Sequence, residues 1–317
     1  MINFREPEIA DKQWVEACFH ASGNQGCEYS FATLFLWSRS YHQQVARMDG
    51  YVLERMSGAR GPGYLFPAGS GPLEPVLSAL EADAEERGET CQFFCVTPEQ
   101  KLLLEASRPG EYRLEPDRDG WDYIYQVERL AELKGKKLQA KRNHINRFLE
   151  RYPDWQVEEI TTKNLGECVV MDLEWNRLYR TENGDAEKEA RTRLDERHAM
   201  FKAFSTYEQL DLYGLLLRAE GRVLAFTMGS LINEETIDVH FEKAYGEIQG
   251  AYPMINREFA RWVRENHPHV LWLNREDDMG LEGLRRSKNS YHPDRMVEKY
   301  LAVREKGSPA RSGRDEG

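Results

Sequence analysis

The chain has 317 residues, with 43 Lys and Arg against 54 Asp and Glu, a formal net charge of -11 and a pI near 5.4. That length suits two domains of about 150 residues, and the 40% hydrophobic and 11% aromatic content excludes a disordered chain. The acidic balance excludes a dedicated non-specific nucleic-acid binder; with no long apolar run and no signal-peptide pattern at the start, the expectation is a cytoplasmic protein without an integral membrane segment.

In chain order, residues 45–48, 51–56 and 63–66 read as strands, 73–87 as a helix, 92–96 as a strand, 99–106 as a helix and 123–127 as a strand. Residues 133–149 hold six Lys or Arg and no acid. Helical spacing follows at 165–178 and 186–204, then strands at 212–218 and 223–232 joined by the turn Ala219-Glu220-Gly221-Arg222, and a third strand at 236–243. Met254, Ile255, Phe259, Trp262 and Val263 repeat at spacings of three and four, a helix with Pro253 in its first turn. A strand at 270–274, a helix at 281–291 and a closing strand at 296–303 complete the series, and residues 307–317 read as a disordered tail. Both halves carry one order of elements, which suggests a duplicated unit: domains at 1–132 and 153–306 joined by a basic connecting helix at 133–152.

On a helix starting near Lys136, Leu138, Ile145, Phe148 and Leu149 form an apolar stripe; Lys137 and His144 flank one side, Arg142 the other, and Lys141 falls inside it. An ammonium there either snorkels to water or meets an anion. The competing reading is a solvated interdomain helix. On strand 236–243, alternation puts Asp238, His240 and Glu242 on one face. Two carboxylates and an imidazole can position an amine and take its proton, with Glu242 the first choice of base and His240 the second; the alternative is the polar face of an edge strand. Asn274, Glu276, Asp277 and Asp278 are candidates to accept an ammonium, or else are loop acids and a cap. Arg285, Arg286 and Lys288 on the next helix could bind phosphate or face water. The five cysteines suit reduced thiols, with Cys91 and Cys95 in the core, and no metal-ligand spacing occurs, so no metal is expected.

Three strands, a helix, a strand, a helix and a strand resemble the acetyltransferase-type (GNAT) fold, which offers phosphate the N-terminus of the helix after its fourth strand. That place is Gln249-Gly250-Ala251-Tyr252-Pro253, where only Gly250 and Ala251 match the family's coenzyme A loop. A closer resemblance lies in Leu133-Lys134-Gly135-Lys136-Lys137-Leu138 with Lys141-Arg142-Asn143-His144, in Val239-His240-Phe241-Glu242-Lys243-Ala244, and in Gly280-Leu281-Glu282-Gly283-Leu284-Arg285-Arg286-Ser287-Lys288 with Tyr291-His292-Pro293. These resemble the soluble C-terminal domain of bacterial phosphatidylglycerol lysyltransferases and the stand-alone bacterial proteins grouped with it. The resemblance implies a mixed α/β fold of two tandem GNAT-like domains, each a mixed twisted sheet flanked by helices. It also implies an acyltransferase moving an aminoacyl group from aminoacyl-tRNA to an amine or hydroxyl of a small molecule or lipid head group. Lys137, Lys141, Arg142, His144, Gly250 and Ala251 would then face tRNA phosphates, Asp238, Asn274, Glu276, Asp277, Arg285 and Lys288 the substrate, and Tyr291 would protonate the leaving group. An acetyl-coenzyme A enzyme and a non-catalytic binding protein are the alternatives.

Overall fold

The computed structural model describes residues 1–58, 60–178 and 186–305, so the expected tail at 307–317 lies outside the described residues. Two compact units form: Met1–Trp121 with Asp277–Gly280 and the chain from Val297, and Asp122–Glu276 with Leu281–Met296. Both are mixed sheets flanked by helices. No helix among the described residues is long and apolar enough to cross a membrane.

The first unit runs α1 (Lys12–Ser22), α2 (Phe31–Tyr41), β1 (Gln44–Met48), β2 (Tyr51–Gly58), β3 (Gly61–Leu65), β4 (Ala68–Gly69), α3 (Leu73–Glu86), β5 (Gln92–Val96), α4 (Pro98–Ser107) and β6 (Tyr112–Pro116). In α3, Val76, Leu77, Leu80 and Ala84 fall on one face and pack on Leu53, Tyr64 and Phe93. α4 starts at Thr97 because its hydroxyl accepts from the Gln100 amide while the Gln100 side chain accepts from the Thr97 amide, with Pro98 opening the first turn. The sheet order is β1, β2, β3, β5, then Tyr300–Arg304, then β6, with β3 and β5 parallel.

The second unit contains β7 (Asp122–Gln126), α5 (Val127–Glu132), α6 (Gln139–Arg151), β8 (Gln156–Glu159), α7 (Leu165–Leu178), α8 (Ala186–Ser205), β9 (Tyr213–Ala219), β10 (Arg222–Asn233), β11 (Thr236–Ala244), α9 (Ala251–Asn266), β12 (Trp272–Asn274), α10 (Glu282–Asn289) and β13 (Arg295–Val297). Its sheet order is β13, β7, β12, β11, β10, β9, β8. Glu220 and Gly221, both at positive φ, make the tight turn between β9 and β10. Met254, Ile255, Phe259, Ala260 and Val263 of α9 are buried, and α9 packs on β9, β10 and β11 as well as on α5 and α6.

Three expectations change. The strand read at 296–303 splits: Arg295–Val297 joins the second sheet, while Tyr300–Arg304 pairs with β5 and β6 in the first. The strand read at 123–127 as closing the first half forms at Asp122–Gln126 and pairs with β12 in the second unit. Strand periodicity identifies a strand but not its partner, so the simple boundaries at 132 and 153 do not describe the units. The basic helix is part of the second unit rather than a link between two units: Ile145 and Phe148 of its apolar stripe are buried there, while most of its polar residues are exposed.

Candidate active site

The parallel ladder between β11 and β12 is short: Thr236 faces Trp272, Ile237 faces Leu273 and Asp238 faces Asn274. β12 ends there while β11 continues to Ala244, so the two strands part. On the other side, Met228 pairs with Phe241 and Gly229 with Val239, which leaves His240 as the extra residue of a β-bulge. Gly229 is required there, because a Cβ would lie 2.2 Å from the Asp238 carbonyl oxygen. β11 is thus a central strand, not the edge strand of the alternative reading.

Where the strands part, Arg275 follows β12 inward. Its Nη2 donates to Glu242 Oε1 at 2.9 Å and to the Tyr252 hydroxyl at 3.0 Å, while Asn256 Nδ2 donates to Glu242 Oε2 at 3.0 Å. The guanidinium carbon lies 4.8 Å from the Tyr291 ring centre and 5.5 Å from that of Tyr125. Lys288, buried on α10, donates to the Arg275 carbonyl and so fixes the backbone that aims the guanidinium. Beyond the last β11–β12 pair, the space is filled by Arg275 with Tyr125, Tyr252 and Tyr291 around it.

Lys141 on α6 completes the cluster, its Nζ 3.8 Å from the Tyr291 ring centre. Rather than reaching out to water, the half-buried ammonium lies over an aromatic face. Burial, reinforced by the positive charge of Arg275 and opposed by Glu242, pushes the amine down to about 8. Among the described residues, the buried Tyr291 hydroxyl and Arg275 Nη1 have no hydrogen-bond partner. Burial also holds the Tyr291 phenol well above its ordinary range.

A second polar group lies on the same strand. His240 Nδ1 is 3.4 Å from Asp238 Oδ2 and 3.5 Å from Glu276 Oε1, and its Nε2 is 2.8 Å from Ser230 Oγ. Glu276 adopts a left-handed backbone (φ 54), with its amide bonded to Asn274 Oδ1 at 2.7 Å; Asn274 in turn donates to Asp122 at 2.9 Å. Asn274 thus supports Glu276. The three potential ligand atoms of Asp238, His240 and Glu276 lie within 4.8 Å of one another, a donor set that suits an ammonium group or a divalent cation. Expecting no metal rested on spacing along the chain, which cannot show residues gathered from a strand and a distant loop.

The remaining expected residues divide. Asp277 and Asp278 belong to the first unit, where they accept from the amides of Met279 and Gly280. Arg286 is exposed beside Glu282, and Arg285 is half-buried on α10. Lys137 is exposed in the turn just before α6 and His144 is exposed on α6, while Arg142 donates to the carbonyls of Leu133 and Gly135. Gly250 and Ala251 are buried, and a Cβ on Gly250 would lie 2.3 Å from the His144 carbonyl oxygen. α6 covers the helix N-terminus that sequence reading offered to phosphate. Arg275, Tyr125, Tyr252, Asn256 and Ser230 were missed. Arg275 stood between two singled-out residues, Asn274 and Glu276, and its charge opposite to its neighbours was the available signal.

The phosphatidylglycerol lysyltransferase C-terminal family matches residues 19–303. A Bacteroides thetaiotaomicron protein of unknown function is 37% identical, with 96% of this chain and 100% of that one covered at a TM-score of 0.88. L-PGS of Bacillus licheniformis shares the fold at 17% identity and a TM-score of 0.63, with 96% and 94% covered. An uncharacterised Mycoplasmoides gallisepticum protein is 26% identical over 185 residues, 57% of this chain and 55% of that protein, so the chain spans about half the length of this curated relative. With nearly its whole length matched, the chain belongs to the family of phosphatidylglycerol lysyltransferase C-terminal domains.

Proposed function

We propose that the protein transfers an aminoacyl group from aminoacyl-tRNA in the cytoplasm to an amine or hydroxyl of a small molecule or lipid head group, with the reaction centred on Lys141, Arg275 and Tyr291. One observation carries this reading: an amine pushed down to about 8 stands over Tyr291, beside two buried donors, Arg275 Nη1 and the Tyr291 hydroxyl, that lack partners among the described residues. Buried donors without partners are rare and suit an oxyanion that forms only during acyl transfer.

The base assigned to Glu242 from the sequence moves to Lys141. Both Glu242 oxygens are engaged, one by Arg275 and the other by Asn256, so proton uptake would break a buried ion pair. The neutral Lys141 amine takes the proton of the attacking nucleophile as the new acyl bond forms. The resulting ammonium, or the Tyr291 phenol, returns a proton to the ribose oxygen as the ester bond breaks. Glu242 positions Arg275. Asp238 and Glu276, gathered about His240, supply the negative charge that an aminoacyl ammonium requires. Coenzyme A loses ground as donor because α6 covers Gly250. Transfer of labelled amino acid from a panel of charged tRNAs to amine and hydroxyl acceptors, including phosphatidylglycerol, tests the reading; survival of every ester beyond its spontaneous hydrolysis would overturn it.

A further inference from the structure

A cavity of about 290 Å³ in the second unit lies between the end of α5, the first turns of α6 and the outer face of α9. Arg142, Arg257 and Arg261 line it with the carboxamides of Gln139, Asn143 and Asn146, against the single carboxylate of Glu132. The guanidiniums are held in place. Arg142 donates to the carbonyls of Leu133 and Gly135; Arg261 donates to the Ala131 carbonyl at 3.1 Å and to Glu258 at 3.1 Å; Arg257 donates to Glu258 at 2.7 Å. Glu132, the opposing acid, is itself paired with Lys134. Arg257 and Arg261 share the one carboxylate of Glu258, Arg142 is bonded only to carbonyls, and Glu132 is taken up by Lys134, so the cavity keeps an excess of positive charge that an anion would offset. Guanidinium forks with amide N–H groups are the donors that match the oxygens of phosphate.

The geometry points to this cavity as a phosphate-binding site that takes a phosphodiester of the donor polynucleotide, an assignment that rests on the aminoacyl-tRNA reading above. Its lining suits a backbone phosphate: Leu133 is its one apolar residue, and no aromatic ring is present to stack a base. The cavity is separate in its residues from the Lys141, Arg275 and Tyr291 cluster, so it would hold the carrier rather than the reacting ester.

The test is binding of a short, fluorophore-labelled, uncharged single-stranded RNA, with pyrophosphate and phosphatidylglycerol vesicles as parallel probes. Asn146→Asp and Asn143→Asp place a carboxylate in the cavity at exposed helical positions where the fold tolerates it; Arg257→Gln removes a charge. Each is expected to weaken RNA binding at least about tenfold and to flatten its salt dependence. RNA binding equal to wild type in all three folded variants would overturn the cavity assignment and leave the carrier reading standing. Pyrophosphate binding that the variants abolish, with no RNA binding by the wild type, would overturn the polynucleotide assignment and count against the carrier reading. Vesicle binding lost in the variants, with RNA binding unaffected, would overturn it in favour of a lipid head group.

Discussion

Arg275 Nη2 lies 2.9 Å from Glu242 Oε1, and the two side chains are only 3% and 5% exposed. They come from a loop and a strand far apart in sequence, and their pairing holds the parted strands β11 and β12 around a charge that neither could carry alone. Removing one partner leaves the other buried and uncompensated. Glu242→Gln is therefore expected to lower the unfolding free energy by about 3 kcal/mol. The double variant with Arg275→Met should recover part of that loss in denaturant titrations; additive losses would show that the two residues are not coupled.

Glu54 offers a separate check, in the first unit. It is buried with its Oε1 accepting from Gln43 Nε2 at 2.8 Å, and burial, against that hydrogen bond, pushes its carboxyl from 4.5 to about 8. Below 4.5 both folded and unfolded chains hold the proton; between 4.5 and about 8 only the folded chain does, so stability falls as pH rises. Glu54→Gln should flatten this part of the melting-temperature profile and stabilise the protein at pH 8. An unchanged slope would contradict the buried, protonated carboxyl.

Gly250 sits at φ +90 with the His144 carbonyl pressed against it. A Cβ adds both left-handed strain and a clash with α6, so Gly250→Ala is expected to destabilise the protein by about 2–4 kcal/mol. If Gly250 instead served chiefly to admit phosphate, the variant would keep its melting temperature and lose ligand binding.

Much of the fold was legible because its signals are local. The α9 face from Met254 to Val263 and the Glu220-Gly221 turn need only neighbouring residues to be read. The exchange of Asp122–Gln126 and Tyr300–Arg304 between sheets was not legible, since pairing of distant strands leaves no mark in their alternation. The site follows the same division. Asp238, His240 and Glu242 could be seen as one strand pattern, and Lys141 as a misplaced charge in an apolar stripe. The bulge at His240 altered the simple alternation. Arg275, Tyr125 and Tyr252 meet only through tertiary packing, and covering of Gly250 by α6 depends on how two helices cross.

The reaction is expected to follow the protonation of Lys141, which releases its proton at about 8. The most direct measurement is single-turnover aminoacyl transfer from charged tRNA, followed as a function of pH for the wild type and Lys141→Arg. The wild-type rate should rise tenfold per pH unit and level near 8, and the arginine variant, charged at every accessible pH, should lose at least about a hundredfold. Transfer by Lys141→Arg at the wild-type rate and with the wild-type pH profile would contradict a reaction centred on this lysine.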